Sequence, residues 1–178
     1  GLLWCLRSRW CTPGIALIAL AVSLKATAAV ALPFVVWLMV KRRSATTLGA
    51  AGMLAVCGAW ALAVNVAVIQ LVTWASGTTW GWLEEITGNS KVINPLAGPT
   101  LAAELITPVL QLFDDTFRYN TALTWTRTIF SALMLVGLAV VWWIFRPRRD
   151  EDYERRAVAG TTAAYAVAFA TNAVTLPW

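Results

Sequence analysis

Long apolar stretches are the feature that most constrains how this chain can fold. Three of them, residues 45–74, 128–145 and 157–178, approach or exceed the roughly 20 apolar residues that an α-helix needs to cross a bilayer. Of the 178 residues, 59% are hydrophobic and only 13% are charged, against about 25% charged in soluble domains. The sequence therefore predicts an all-α fold, a polytopic bundle of membrane-spanning helices, rather than a soluble helical protein.

A fourth apolar stretch, 13–40, is interrupted at its middle by Lys25. It is flanked by Arg7 and Arg9 on one side and by the basic segment 41–43 on the other. Basic residues at both ends favour a hairpin of two short helices. Twelve residues reach only about 18 Å, so the first arm would be a short or re-entrant span. One long tilted helix with a snorkelling lysine is the alternative.

The basic residues between the apolar stretches predict the orientation of the chain. Segments 41–43 and 146–156 are short and rich in Lys and Arg, so we expect both in the cytoplasm. Segment 75–123 contains only Lys91 and Arg118 as basic residues, so we expect it outside. The prediction is a multi-pass protein of the plasma membrane, with residues 1–178 forming a single transmembrane domain.

The external segment is predicted to contain an amphipathic helix that starts near Thr100 and is bent by Pro108. Five apolar residues recur there at helical spacing: Leu101, Leu105, Val109, Leu112 and Phe113. Such a helix would lie on the outer leaflet or dip into it.

Lys25 is the residue most indicative of function. A lysine between two apolar arms is costly in hydrocarbon and usually marks a partner or a functional site. At the outer end of a hairpin, its ammonium group could bind the phosphate of a lipid donor. Arg127, at the outward end of the 128–145 span, is a second candidate for this phosphate. For both residues the alternative is a side chain that snorkels to ordinary lipid phosphates.

Asp114, Asp115 and Arg118 lie where the external helix is expected to end. A carboxylate there could accept a hydroxyl proton or hold a divalent cation. Adjacent helical residues point about 100° apart, so the two aspartates would not face one site. A solvated helix end with an Asp114–Arg118 ion pair is the alternative, and Glu84 and Glu85 are expected to form a surface acidic turn.

Several classes of site have no support in the sequence. Cys5, Cys11 and Cys57 are scattered in or beside apolar segments, and the chain has no histidine. We therefore expect no metal site and no cofactor. The net charge of +5 resides in segments between apolar stretches rather than on a basic face with interleaved aromatics, so nucleic-acid binding is not expected.

Four short motifs carry a resemblance to a known family. Segment 24–34, with its lysine, small residues and Leu-Pro-Phe, is followed by a basic segment and resembles the polyprenol-phosphate-sugar-dependent glycosyltransferases of the GT-C superfamily. With Asn-Pro-Leu-Ala-Gly-Pro at 94–99, the Asp-Asp pair and the final Thr-Leu-Pro-Trp at 175–178, the chain resembles the central to C-terminal part of actinobacterial α-(1→6)-mannopyranosyltransferases.

The resemblance implies a membrane enzyme that transfers mannose from a polyprenyl-phosphate-mannose donor to a lipid-linked, lipomannan-type acceptor outside the cytoplasm. It also implies a catalytic acidic residue in a first external loop near the N-terminus of the full protein. The chain begins at Gly1 without an initiator methionine, so we expect a fragment that lacks this loop. No residue here is assigned as the catalytic base.

Two other functions remain open from the sequence. One is a subunit of a membrane transporter or flippase, in which an intramembrane lysine would line the pathway. The other is a non-catalytic membrane subunit. A transporter should carry more polar residues along its spans than this chain does.

Overall fold

The computed structural model describes residues 1–43, 49–81, 95–147 and 152–171. These residues form helices and no strand, which confirms the all-α prediction. The α-helices within them are α1 (Leu2–Arg7), α2 (Thr12–Leu24), α3 (Leu32–Arg42), α4 (Ala50–Ala75), α5 (Gly98–Gln111), α6 (Tyr119–Ile144) and α7 (Tyr153–Thr171). The chain divides into two compact units, Gly1–Trp80 with Val140–Tyr165, and Gly81–Ala139 with Ala166–Trp178.

The first unit contains a fold-back between α2 and α3. Helix α2 has Pro13 in its first turn and ends at Lys25, where the backbone becomes extended (φ −151°, ψ 115°). A 3₁₀ helix, Ala26–Ala31, then leads into α3. At the end of α3, Arg42 donates hydrogen bonds of 2.6 Å and 2.8 Å to the carbonyls of Cys5 and Ser8, just before α2 begins. The chain therefore reverses direction, which is the geometry of a hairpin and not of one continuous helix.

Helix α4 packs on this hairpin, chiefly on α2 and also on α3. Its buried residues Met53, Cys57, Ala61 and Asn65 recur at intervals of four, so they form one stripe along a helix face. Asn65 donates its side-chain N–H to the carbonyl of Ala61 at 3.1 Å. This bond satisfies the polar group inside its own helix, where an unpaired amide would be costly.

Phe34, at the end of the Leu-Pro-Phe motif, anchors α3 against the other segments of the first unit. It is among the largest fully buried side chains, and its ring lies against Gly160 of α7. The hydroxyl of Tyr153 donates to the carbonyl of Phe34 at 3.4 Å. The rings of Trp37 of α3 and Trp142 of α6 also pack together, with their centroids 5.3 Å apart and their planes at 30°.

In the second unit, α5 packs on the start of α6 through Ala103, Ala122 and Leu123. Helix α6 begins at Tyr119 rather than near residue 128, where the apolar span was predicted to start. Residues 119–127 contain too many polar side chains to be recognised from hydropathy as part of an apolar span. Their threonine hydroxyls find partners within the helix, as Thr124 donates to the carbonyl of Asn120 at 2.8 Å, so these polar groups need no water.

Two helices are long and apolar enough to cross a membrane, α4 and α6, with 26 residues each, or about 39 Å. In their most apolar 18-residue windows, 22% of the α4 residues and none of the α6 residues are buried. The core helix of a soluble protein would be mostly buried. These two exposed apolar helices indicate a membrane protein. The predicted span 157–178 overlaps α7, but residues 172–178 lie outside the described part.

Candidate functional site

Lys25 lies at the apex of the hairpin, between α2 and the 3₁₀ helix, and its side chain is exposed. Its backbone N–H donates to the carbonyl of Ala21 at 2.8 Å, and its carbonyl accepts from the N–H of Ala28 at 3.0 Å. Leu24 beside it is 91% exposed. The ammonium group is therefore held at the opposite end of α2 from Arg42, where a ligand could reach it.

Asp114 lies in the turn between α5 and α6. One of its carboxylate oxygens accepts hydrogen bonds from the backbone N–H and the hydroxyl of Thr116, at 2.9 Å and 2.6 Å. These two bonds lower the pKa of the Asp114 carboxyl. Asp114 lies at the end of α5, where its backbone N–H donates to the carbonyl of Leu110 at 3.0 Å. The backbone from Asp114 to Arg118 is not helical, so the helical spacing assumed for an ion pair between these two residues is absent. Asp114 therefore stabilises the turn.

The remaining predicted residues lie in the same unit as this turn. Asp115 and Arg118 are exposed within it, and Arg127 is half-buried on α6. Lys25 belongs to the first unit. The structure thus places three of the five candidates in one turn segment. Glu84 and Glu85 lie outside the described residues.

Helix α5 has two contrasting faces. Ala103 and Thr107 are buried, with the hydroxyl of Thr107 donating to the carbonyl of Ala103 at 2.6 Å. Leu101, Leu105 and Val109 are exposed on the other side. The apolar face of the predicted amphipathic helix is therefore uncovered within the described residues, and it can contact lipid or a lipid-like ligand.

A basic cleft of about 760 Å³ lies at the base of the hairpin. From the sequence, its arginines were expected only to flank an apolar stretch and to set the orientation of the chain. The predicted hairpin could have indicated the cleft, because a hairpin brings the basic residues at its two ends together. The cleft is lined by Arg7, Ser8, Arg9, Trp10, Cys11, Thr12, Met39, Arg42 and Arg43.

Arg42 holds the wall of this cleft together. Besides its bonds to Cys5 and Ser8, its guanidinium donates to the carbonyl of Leu6 at 2.9 Å and to a carboxylate oxygen of Glu154 at 3.0 Å. The ion pair joins the end of α3 to the start of α7. The two segments that were predicted to be cytoplasmic thus contribute to the same end of the first unit.

Comparison with known proteins finds two relatives. The chain is 50% identical over its whole length to Alpha-(1->6)-mannopyranosyltransferase A of Corynebacterium glutamicum, of which it covers 37%. It is 34% identical over 93% of its length to Alpha-(1->6)-mannopyranosyltransferase A of Mycobacterium tuberculosis, of which it covers 31%. No family model and no solved structure matches. The chain thus spans about a third of the length of these relatives.

Proposed function

We propose that the full protein, whose 178-residue segment matches actinobacterial α-(1→6)-mannopyranosyltransferases over the whole chain, transfers mannose from polyprenyl-phosphate-mannose to a lipid-linked, lipomannan-type acceptor. The reaction would take place outside the cytoplasm, in a multi-pass bundle of the GT-C type in the plasma membrane. The observation that carries the proposal is the 50% identity across the whole chain. It favours a transferase over a transporter, a flippase or a non-catalytic subunit.

The position of Lys25 supports a role in donor binding. An exposed ammonium at the apex of an apolar hairpin can meet a lipid phosphate without a large movement of the backbone. During mannosyl transfer the bond from the sugar to the phosphate breaks, and negative charge increases on the departing phosphate. A cation placed there lowers the barrier by stabilising that charge. Arg127, half-buried on α6, is a second cation that could bind a donor phosphate.

The catalytic base is proposed to lie in a part of the full protein outside this chain. The Asp114 carboxylate accepts two hydrogen bonds from Thr116 within a turn. This arrangement suits a structural role better than proton transfer. Asp115 and Arg118 remain candidates for contacts with the acceptor, because both are exposed.

The donor role of Lys25 is tested with the full-length enzyme in membranes. We expect Lys25→Met to lower the rate of transfer from polyprenyl-phosphate-mannose by about tenfold or more, the range seen when one group that stabilises developing charge is lost. Lys25→Arg keeps the charge and should retain most of the activity. Transfer of labelled mannose at saturating acceptor, with protein amounts matched by immunoblot, is the measurement.

Two results would contradict the proposal in different ways. Equal rates for Lys25→Met and the unaltered enzyme would remove Lys25 from the donor site. Labelling of the acceptor from a nucleotide-mannose but not from the polyprenyl-phosphate donor would overturn the donor class itself.

A further inference from the structure

The basic cleft at the base of the hairpin carries a concentration of positive charge. It brings Arg7 and Arg9, which precede α2, next to Arg42 and Arg43 at the end of α3. Arg7 and Arg9 are exposed to solvent, whereas Arg42 is partly shielded by its carbonyl partners and Glu154. Four guanidinium groups around one cleft favour an anion, and guanidinium groups match the geometry of phosphate oxygens.

Two groups reduce this charge without cancelling it. Glu154 neutralises part of the charge of Arg42 through their 3.0 Å contact. Hydrogen bonding to Cys5, together with the nearby charge of Arg42, lowers the pKa of Cys11 to about 6, so a thiolate can contribute one further negative charge. Among the described residues, the four guanidinium groups that line the cleft outnumber these two acidic groups.

The rim of the cleft is apolar and aromatic. Trp10 lines the cleft and is 79% exposed, and α1 exposes Leu3 and Trp4 beside Arg7. Exposed tryptophans next to arginines are typical of the boundary between the hydrocarbon and the headgroups of a membrane. A small soluble phosphate has no apolar part that could contact this rim, whereas a phospholipid has one.

We propose that the cleft binds the phosphate of an anionic phospholipid headgroup in the cytoplasmic leaflet, with Arg7 and Arg9 as its main cations. Basic pockets beside membrane helices on the cytoplasmic side recognise such headgroups. Trp10, Trp4 and Leu3 contact the glycerol and upper acyl region of the same lipid. The inference rests on the proposed orientation of segment 41–43, and it does not require mannosyl transfer.

The test uses the full-length protein, purified in neutral detergent and placed in nanodiscs of phosphatidylcholine with or without phosphatidylglycerol. Native mass spectrometry counts the retained lipids, and titration gives an apparent affinity for phosphatidylglycerol. We expect Arg7→Gln and Arg9→Gln each to lower that affinity by about fivefold or more, because each variant loses a charge-assisted hydrogen bond to the headgroup phosphate. Arg9→Lys should lower it less.

Arg155→Gln is the matched control. Arg155 is exposed in the other segment predicted to be cytoplasmic and does not line the cleft, so the same loss of charge there should leave the affinity unchanged. Size-exclusion profiles and thermal unfolding establish that each variant is folded.

Three outcomes would overturn the proposal. One is equal retention of phosphatidylcholine and phosphatidylglycerol, and another is an equal loss in Arg155→Gln and Arg9→Gln. The third is displacement of the lipid by millimolar inorganic phosphate or glycerol phosphate, which would identify a soluble ligand. Mannosyl transfer is measured on the same samples, so a failed lipid site is distinguished from a failed enzyme.

Discussion

Gly160 lies where the packing of the first unit leaves no room for a side chain. A Cβ atom added there would lie 2.5 Å from the Cε1 atom of Phe34 and 2.9 Å from the Cβ atom of Phe145. The Phe145 atom adjoins the backbone and cannot simply rotate away. The absence of a side chain at this position therefore lets α7 approach the buried ring of Phe34.

We expect Gly160→Ala to destabilise the full-length protein by about 1–3 kcal/mol, the usual cost of overpacking a core. Gly58→Ala is the control, because a Cβ added at Gly58 of α4 meets nothing within 4 Å. That control should be neutral or slightly stabilising, since alanine has the higher helix propensity. Thermal unfolding in detergent measures both, and equal midpoints for the Gly160 variant and the unaltered protein would contradict the packing described.

Residues differ in how far their roles can be predicted from sequence. Lys25 is conspicuous because a charge within an apolar stretch is costly, and this holds whatever the fold. The role of Asp114 could not be predicted, since it depends on α5 ending before the aspartate and on the hydroxyl of Thr116 lying close to it. The cleft around Arg7 and Arg42 could not be predicted either, because it depends on which chain segments lie together in the fold.

Among the helices, α5 exposes an apolar face that no described residue covers. Leu105 is 73% exposed, and Leu112, which follows the helix, is 82% exposed. In water such a face would be costly, so it requires lipid or an apolar ligand. We propose that it forms one wall of a groove for the isoprenoid chain of the donor.

A photoreactive polyprenyl-phosphate probe tests this interpretation on the full-length enzyme. We expect labelled peptides from residues 99–118, with labelling reduced by excess unlabelled polyprenyl phosphate. Val66, exposed on α4, reports contact with bulk lipid, and labelling of its peptide should not respond to the competitor. Labelling confined to segment 146–156, or insensitive to the competitor at 99–118, would contradict the groove.

The helices themselves were largely predictable, because apolar length and period follow directly from the sequence. Helix α4 lies close to its predicted span, and α5 matches the predicted amphipathic helix. Helix α6 begins at Tyr119, before the predicted apolar span 128–145, because hydropathy does not register polar helical turns such as the first ones of this helix, which pack on α5. The stripe of α4 that packs on the hairpin also depends on the partner helix, which the sequence of α4 alone does not specify.

At the scale of the whole molecule, the proposed donor site and lipid site require that each segment lies on a particular side of the membrane. Arg42 and Glu154 are in contact, so one residue of each segment predicted to be cytoplasmic lies at the same end of the first unit, as that prediction requires. The proposed chemistry is assigned to the other side of the membrane, with segment 75–123. If this orientation were reversed, both the donor site and the lipid site would face the wrong leaflet.

Substituted-cysteine labelling in intact cells tests this orientation most directly. Phe113→Cys and Arg155→Cys are introduced one at a time into a full-length variant without other cysteines, at positions that are both exposed. Each variant is first shown to retain mannosyl transfer. We predict that a membrane-impermeant maleimide labels position 113 in intact cells and position 155 only after permeabilisation. Labelling of position 155 in intact cells, with position 113 protected until permeabilisation, would contradict the account.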